Sequence, residues 1–444
     1  MDTRTAPLVW HPPSTFNPDA PGLGFPTLDG VSHRVIFDPA PSKANVDEGG
    51  DGKYESLLHG NFCHGPSFVV VGEHIVARWS NHTMDEGGPG ARSIGRVGTF
   101  VNDGDEIDWG GQETFVELAP PPIPPRRRKF AVDPLNLWPY TGAGLSLVNG
   151  SLYALGLIHS VVGYTDEEQY RATRGPVPPE HFRDALDVDA GFFFDKWGYH
   201  GLEWVQRWKT VKGRLLPDSP MYRISPYEPR FEVTPGRFKI ACPLQEPYCC
   251  ALPIEEAPEA LREDVSMLRE EALIPKWRFT AGEKWIAADG RHALAHLAEY
   301  VRPDGRSVMV RDNLLNPGHY YASLTDENGA YPPAVETNLI GGANIAAGTL
   351  PDGRNFIIGN NYDDYYHAPD KSRKDMYISL SRDGVNFDRT YLILHLDRKG
   401  DGGVYKYGGP QYYKPLIHKN NMWVFYSITK MKIGLTKIPL TAFA

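Results

Sequence analysis

Five short runs of β-favouring residues recur along the chain, and each run is opened by a turn that contains glycine or asparagine. This pattern is typical of the central strand of a sheet. The first two runs lie about 78 residues apart and the last two about 70. Both intervals exceed the roughly 40 to 50 residues of one propeller blade, which leaves room for long loops or for further blades. The five runs are Gly72–Ser80, Gly150–Leu157, Asp304–Arg311, Asp352–Gly359 and Asn420–Ser427.

A second recurring element lies between two predicted strands at Ser381–Phe387. It resembles an Asp-box, in which an aspartate caps a hairpin turn and an aromatic ring fills the centre of a propeller blade. Ser323–Tyr331 resembles a degenerate copy. Either copy alone is better interpreted as a plain hairpin with a turn, but two copies favour a propeller. Phe387 and Tyr331 are the rings expected to fill the blades.

One segment departs from this pattern. Within Ile254–Ile274, the apolar residues Leu261, Val265, Leu268 and Ala272 recur at helical spacing with charged residues between them, which predicts an amphipathic helix. No linker divides the chain clearly. The sequence therefore predicts an all-β fold with loop and short helical insertions. It would form one domain over residues 1–444, with an insertion-rich segment at about 165–295.

The composition of the 444 residues supports this fold and excludes several classes of function. Gly (45), Pro (39) and 12% aromatic residues suit a large β-structure with many turns. The net charge of -9 argues against a nucleic-acid partner. No run approaches the roughly 20 apolar residues of a membrane helix, and no signal peptide is visible. We expect a monomer that is either cytoplasmic or secreted with its signal removed.

The four cysteines do not form a disulfide framework. Cys242, Cys249 and Cys250 lie close together in the sequence and could form a metal site with a distant histidine. Their spacing is not a standard zinc pattern, so buried free thiols are the favoured interpretation for these three and for Cys63.

Two histidines are the first candidates for chemistry. His64 precedes one predicted strand and His82 follows the next, so an antiparallel pair of strands would bring both to one rim of a sheet. Two neighbouring imidazoles can serve as acid and base near neutral pH. The alternative is that each histidine bonds a local backbone group.

The residues around these histidines resemble a known family. His64-Gly-Pro66, Trp79-Ser-Asn81 and Asp85-Glu followed by Pro89-Gly-x-Arg92 are similar to the first blade of Asp-box propeller polysaccharide lyases. The closest resemblance is to L-rhamnose-α-1,4-D-glucuronate lyases, with ulvan lyases and α-L-rhamnosidases as relatives. Later strands and the Asp-box at Ser381–Phe387 are also similar.

The resemblance implies a seven-bladed β-propeller with its site in a central funnel. It implies a lyase that cleaves the bond to a uronic acid, with terminal rhamnose on glucuronate as the expected substrate, by β-elimination. His64 and His82 would be acid and base. Arg92 and Arg311 would neutralise the sugar carboxylate, unless they form salt bridges within the protein.

The resemblance also suggests two further sugar contacts and a structural metal ion. Tyr140 and His159 are weaker candidates for contacting the sugar. The chemistry needs no cofactor, although some relatives hold a structural calcium or zinc ion, so the metal site is unknown.

Two other functions fit the same scaffold. One is a glycoside hydrolase, either an α-L-rhamnosidase or a sialidase-like enzyme. A sialidase needs a tyrosine nucleophile, an aspartic acid and three arginines, and the matched positions do not supply that set. The other is a non-catalytic propeller that binds carbohydrate. Each alternative keeps an oligo- or polysaccharide as the partner, without nucleic acid or membrane.

Overall fold

The protein is described from a computed structural model. The described residues are 7–39, 60, 62–82, 92–118, 144–164, 193–224, 230–234, 237–241, 252–270, 287–288, 297–312, 318–342, 344–361, 373–397 and 408–444. The contacts divide the chain into two compact units. Unit 1 comprises residues 1–36, 278–401 and 406–444, and unit 2 comprises residues 37–277 and 402–405.

The domain organisation expected from the sequence stays a prediction. Residues 165–192 and 271–286, both within the insertion-rich segment at about 165–295, lie outside the described residues. No described helix is long and apolar enough to cross a membrane.

The described elements are almost all strands. The first are β1 (Val9–Trp10), β2 (Ser32–Phe37), β3 (Phe62–Val71), β4 (His74–His82), β5 (Arg92–Val101), β6 (Glu106–Asp108) and β7 (Phe115–Glu117). The next are β8 (Leu145–Val148), β9 (Ser151–Tyr164), β10 (Phe193–Val211), β11 (Arg214–Arg223), β12 (Arg230–Thr234), β13 (Arg237–Ala241) and β14 (Leu252–Pro253).

The remaining strands follow one helix, α1 (Glu259–Glu270). They are β15 (Leu297–Val301), β16 (Ser307–Arg311), β17 (Gly318–Leu324), β18 (Val335–Gly341), β19 (Ala346–Thr349), β20 (Asn355–Asn360), β21 (Asp375–Ser381), β22 (Asn386–His395), β23 (Pro410–His418), β24 (Asn421–Ile428) and β25 (Lys432–Pro439). Short 3₁₀ turns lie at Pro21–Gly24, Asn102–Gly104, Gln112–Thr114, Ile254–Glu256 and Leu440–Phe443.

The described strands of unit 1 form three sheets. Their strand orders are β15-β16-β17-β18, then β19-β20-β21-β22-β1, and β23-β24-β25-β2. Consecutive strands pair antiparallel, whereas β1 joins from the N-terminus and runs parallel to β22. The first strands of neighbouring sheets pack together, since β19 contacts both β15 and β23. Successive antiparallel sheets that meet along their first strands are typical of propeller blades.

Two sheets are formed by those strands of unit 2 that the structure describes. One has the order β3-β4-β5-β6, with β7 also paired to β5, and the other has the order β12-β13-β9-β10-β11-β14, with β8 also paired to β9. Here too the first strands, β3 and β8, contact each other.

The five predicted runs are confirmed as strands β4, β9, β16, β20 and β24. Each is the second strand of a consecutive series, and each belongs to a different sheet. All residues of β20 and β24 are buried, so both faces of these strands are covered. A strand that is covered on both faces carries apolar residues at successive positions, which is why these two strands were visible in the sequence.

The predicted Asp-box is confirmed as the hairpin between β21 and β22. The carboxylate of Asp383 accepts hydrogen bonds from the backbone N–H groups of Val385 and Asn386 and from the hydroxyl of Ser381. Phe387 is fully buried and meets the Tyr300 ring edge-on at 5.9 Å between centroids. The ring was expected to fill the centre of a blade, and it instead packs between two sheets of unit 1.

The degenerate copy caps its turn in the same way. Asp326 accepts hydrogen bonds from the N–H groups of Asn328 and Ala330, each at 2.9 Å. Tyr331 is only partly buried, and its hydroxyl bonds the carboxylate of Glu299. This ring therefore lies less deeply than Phe387.

The predicted amphipathic helix is confirmed as α1, although it is shorter than the predicted segment. Leu261, Val265 and Leu268 are buried in a cluster with apolar residues of the β8–β11 sheet. The hydroxyl of Tyr153 donates to Asp264 of the helix at 2.5 Å. This polar contact and the apolar stripe together attach α1 to unit 2.

Candidate functional site

The two ends of each sheet differ in the length of the connections between its strands. We call the end at which the first strand begins the start side, and the opposite end the turn side. On the turn side the connections are short, as at residues 72–73 and 149–150. On the start side some are long, as at residues 165–192 and 361–374. Long connections over a rigid scaffold are where binding residues concentrate.

The start side of the first sheet in unit 2 holds a buried polar group around Arg78. Its guanidinium donates to the hydroxyls of Ser93 at 2.6 Å and Ser80 at 3.0 Å, and to the carbonyl of Gly65 at 3.5 Å. His64 lies directly across the strands from Ser80. The Arg78 and His64 side chains are 3% and 6% exposed.

His64 and His82 are brought to the same end of the β3–β4 hairpin. The strands are antiparallel, and His82 pairs with Phe62, two residues from His64. Arg92 begins the neighbouring strand at the same end, where it pairs with Asn81. The register therefore gathers three of the predicted site residues at one rim, although their catalytic roles stay predictions.

The structure says less about the other two predicted sugar contacts, His159 and Tyr140. His159 lies in the second half of β9, where its pairing with β10 is irregular. Tyr140 lies outside the described residues, as do Cys242, Cys249 and Cys250. Cys63 is a buried free thiol. Within the described part of the chain, no three His, Cys, Asp or Glu side chains cluster in a way that could hold a metal.

In unit 1, Arg311 lies at the start-side end of β16. It is 8% exposed, and its guanidinium lies 3.2 Å from the sulfur of Met309. Burial lowers the pKa of Arg311, and the neighbouring carboxylate of Asp312 partly offsets this effect. Asp312 accepts a hydrogen bond from the backbone N–H of Asn344 at 2.7 Å. A buried cation and a buried anion thus lie side by side where the strand ends.

A second buried arginine occupies the start side of unit 1. Arg373 donates to the side-chain oxygen of Gln411 at 2.8 Å, and both side chains are at least 95% buried. The amide nitrogen of Asn360, at the end of β20, donates to the hydroxyl of Tyr413 at 3.0 Å. Strand ends of two neighbouring sheets therefore contribute fixed donors and acceptors at this side.

A histidine–carboxylate pair lies on the same side, where β21 begins and β22 ends. Asp375 and His395 are cross-strand partners, and their Oδ1 and Nδ1 atoms lie 2.5 Å apart. The other oxygen of Asp375 accepts a hydrogen bond from the amide of Asn361 at 2.8 Å. Burial raises the pKa of Asp375, and the contact with His395 only partly offsets it.

This pair has the geometry of an oriented acid or base. The Asp375 side chain is 3% exposed, whereas that of His395 is 31% exposed. The carboxylate engages Nδ1, which leaves Nε2 as the ring nitrogen that can exchange a proton with a ligand.

Several of these residues were not predicted from the sequence. Arg78 could have been found, because a single arginine interrupts the otherwise apolar run Ile75–Trp79. The pairing of Asp375 with His395 could not, because it depends on the register of two strands. Asn344 gives no signal in the sequence, since Asp312, which accepts its backbone hydrogen bond, lies 32 residues away along the chain.

Comparison with known proteins gives a fold but no family. No family model and no curated protein sequence matches the chain. Among solved structures it is similar to a sialidase, with a TM-score of 0.60 and 15% identity over 98% of this chain and 35% of that one. The chain thus spans about a third of the length of that sialidase. This likeness shows a β-propeller fold, as predicted, and seven blades are compatible with it.

Two further solved structures are less similar. One is a Penicillium chrysogenum α-L-arabinanase complexed with arabinobiose, with a TM-score of 0.40 and 9% identity over 92% of this chain and 98% of that one. The other is a Fusarium graminearum α-L-arabinofuranosidase, also complexed with arabinobiose, with a TM-score of 0.40 and 8% identity over the same shares.

The interpretation of the chain as a uronate lyase is contradicted. The solved structure that shares its fold, at a TM-score of 0.60, is a sialidase and not a lyase. The motifs behind the lyase interpretation include residues that hold the sheet together. Trp79 packs against Phe37 at 5.0 Å between ring centroids, and the amide of Asn81 donates to the carbonyls of Gly60 and Phe62. Such residues stabilise the sheet, so their presence indicates the fold and not a particular reaction.

Proposed function

We propose that the chain is a glycoside hydrolase that acts on an oligo- or polysaccharide. The observation that carries the proposal is the collection of buried arginine and amide side chains on the start side of β-propeller sheets. Sugars present many hydroxyls, and fixed donors and acceptors recognise them with little loss of side-chain entropy on binding. The opposite, turn side instead uses its carboxylates to cap hairpins, as Asp383 does.

Hydrolysis requires a proton donor and a base. The glycosidic C–O bond breaks, the leaving oxygen takes a proton, and water supplies the hydroxyl that joins the anomeric carbon. The pair of His395 and Asp375 is the candidate for this work in unit 1, because a buried carboxylate orients a partly exposed imidazole. In unit 2, His64 and His82 are candidates through their common rim.

Substrate binding is proposed for the arginines at the rims. Arg311 in unit 1 and Arg92 in unit 2 both lie at strand ends on the start side. An arginine offers several donors in a fixed plane. These can bind the hydroxyl oxygens of a sugar or the carboxylate of an acidic sugar. The reaction uses water as its second substrate and needs no cofactor.

The test is the release of sugar from a panel of polymers. We would incubate the protein with arabinan, rhamnose-bearing gums, sialylated glycans and uronate-rich algal polysaccharides, and measure new reducing ends. Hydrolysis of one class is expected, and a variant with His64, His82 and His395 all replaced by alanine should be inactive on it. If none of the polymers is cleaved, whether or not the protein binds it, the protein is not a hydrolase of these glycans.

A further inference from the structure

We propose that Asn361 is a positioning residue, which turns the carboxylate of Asp375 so that one of its oxygens faces the imidazole of His395. The proposal rests on the proposed hydrolase function, in which His395 is the candidate acid or base of unit 1. It adds a third residue to the pair of Asp375 and His395.

The three side chains lie in a row across neighbouring strands. Strands β20, β21 and β22 are adjacent in one sheet, and Asn361 directly follows β20. The register of β20 and β21 brings Asn361 opposite Asp375, and Asp375 pairs in turn with His395. Side chains of residues that lie directly opposite each other share one face of a sheet and are close enough to interact.

Asn361 binds Asp375 at three points. Its backbone N–H donates to the Asp375 carbonyl at 3.3 Å, and its side-chain oxygen accepts from the Asp375 N–H at 3.0 Å. Its side-chain nitrogen donates to Oδ2 of the Asp375 carboxylate at 2.8 Å. A flipped amide would place its NH₂ group against the backbone N–H, so these bonds determine the orientation of the amide. The donor therefore faces the carboxylate.

The two oxygens of the Asp375 carboxylate have different partners. Oδ2 accepts from Asn361, and Oδ1 lies 2.5 Å from Nδ1 of His395. The adjoining backbones of β21 and β22 are also joined, since the N–H of Leu396 donates to the carbonyl of Lys374 at 2.8 Å. Rotation of an aspartate carboxylate about its Cβ–Cγ bond is otherwise broad. The amide of Asn361 restricts that rotation and so keeps Oδ1 toward the imidazole.

The same bond helps the buried carboxylate to stay charged. Burial raises the pKa of Asp375, and the contact with His395 and the backbone N–H of Gly22 partly offset this effect. A hydrogen bond from Asn361 to the carboxylate also favours the charged form. A charged Asp375 accepts the Nδ1 proton of His395, which leaves Nε2 to exchange a proton with a substrate.

A matched pair of asparagine variants tests the proposal. Asn361→Ala removes the amide beside the carboxylate. Asn338→Ala removes an amide that accepts from the N–H of Trp10 at 2.8 Å and donates to its carbonyl at 2.7 Å, so neither of its partners titrates. Asn361→Leu removes the same bonds as Asn361→Ala while it retains a side chain of similar size, and it takes the place of the alanine variant if that variant is unstable.

The readout is the position of the proton on the His395 ring. Long-range ¹H–¹⁵N NMR of the histidine side chains distinguishes a proton on Nδ1 from one on Nε2. The spectra would be recorded at about pH 8, where imidazoles are ordinarily neutral. The signals of His395 are those that disappear in His395→Gln. Steady-state kinetics and thermal unfolding would be followed for each asparagine variant.

In the wild type we expect the proton on Nδ1 of His395. Asn361→Ala should move part of the population to the tautomer protonated on Nε2, and lower kcat about tenfold with a smaller change in KM. Asn338→Ala should leave the tautomer and kcat unchanged, whatever its thermal stability. A wild-type His395 that carries its proton on Nε2 overturns the proposal, as does an unchanged Nδ1 tautomer in Asn361→Ala or Asn361→Leu.

Failure of this proposal is distinct from failure of the proposed function. A changed His395 tautomer in Asn361→Ala, in a protein that cleaves no glycan, would support the positioning of the imidazole and reject the hydrolase. Glycan cleavage with equal kcat in wild type and Asn361→Ala would support the hydrolase and reject Asn361 as a positioning residue.

Discussion

The imidazole of His395 meets the buried carboxylate of Asp375 across two strands, with Nδ1 and Oδ1 2.5 Å apart. A second histidine–carboxylate pair in the same unit, His319 and Glu336, is longer at 3.1 Å, and both of its side chains are more than 40% exposed. Burial of one partner is what separates an oriented imidazole from a surface ion pair.

Replacing either member of the buried pair should therefore slow cleavage. We expect His395→Ala and Asp375→Asn to lower kcat about 100-fold, the lower range for a lost acid or base, with a smaller change in KM. His319→Ala is the matched control and should leave kcat unchanged. Steady-state kinetics on the polymer found by the screen makes the measurement, and equal kcat for His395→Ala and His319→Ala would remove His395 from the mechanism.

Arg311 should act mainly on substrate binding. It ends the β15–β16 hairpin on the start side, whereas Arg306 precedes β16 on the turn side and bonds Asp304. We expect Arg311→Ala to raise KM about tenfold or more, because a guanidinium bond to a ligand oxygen is worth about 1.5–3 kcal/mol. Arg306→Ala is the control for loss of a positive charge. A common KM for both variants and the wild type would show that Arg311 does not contact the substrate.

The Asp-box aspartate should stabilise the fold in a pH-dependent way. Burial raises the pKa of Asp383, but hydrogen bonds led by the backbone N–H of Asn386 outweigh this and lower it well below the ordinary 3.8. A carboxyl with a lowered pKa contributes stability above the unfolded pKa and loses it as the pH falls through the folded pKa. Asp383→Ala should thus lower the free energy of unfolding by about 1 kcal/mol at neutral pH and by less in acid. The loss is modest because the carboxylate is exposed.

Chemical denaturation at several pH values measures this effect. Asp388→Ala, an exposed aspartate on the adjoining strand, is the control and should change the free energy of unfolding little at any pH. A cost for Asp383→Ala that stays constant down to strongly acidic pH would mean that the charged carboxylate is not what caps the turn.

The two rings predicted to fill the blades should differ in their contribution to stability. Phe387 is fully buried, so Phe387→Ala should lower the free energy of unfolding by about 3–5 kcal/mol through the cavity it leaves. Tyr331 is only partly buried, so Tyr331→Ala should cost about 1–3 kcal/mol. Equilibrium unfolding compares the two, and equal losses would contradict the difference in burial.

The fold was largely predictable because its signals are local. The run that became β20 has an apolar centre of Phe356, Ile357 and Ile358, and the aspartate at Asp383 lies two residues from the first amide that it caps. Helix α1 was visible through Leu261, Val265 and Leu268, which return at helical spacing. Each of these features needs only a few neighbouring residues to form, so the sequence displays it directly.

The site was less predictable because its contacts are not local. Asn344 depends on Asp312, and Arg373 depends on Gln411, so the two members of each pair are 32 and 38 residues apart and meet only in the folded chain. The rim of His64 and His82 was predictable because one hairpin brings them together. The lyase interpretation failed for a related reason, since similar blade residues support different reactions on one scaffold.

The central claim is that water, rather than elimination, completes the cleavage. Digestion of the responsive polymer in ¹⁸O-labelled water, followed by mass spectrometry of the products, tests it most directly. We predict one ¹⁸O atom at the new anomeric hydroxyl of each released sugar and no product with a carbon–carbon double bond. Unsaturated uronate products that carry no label would contradict the account.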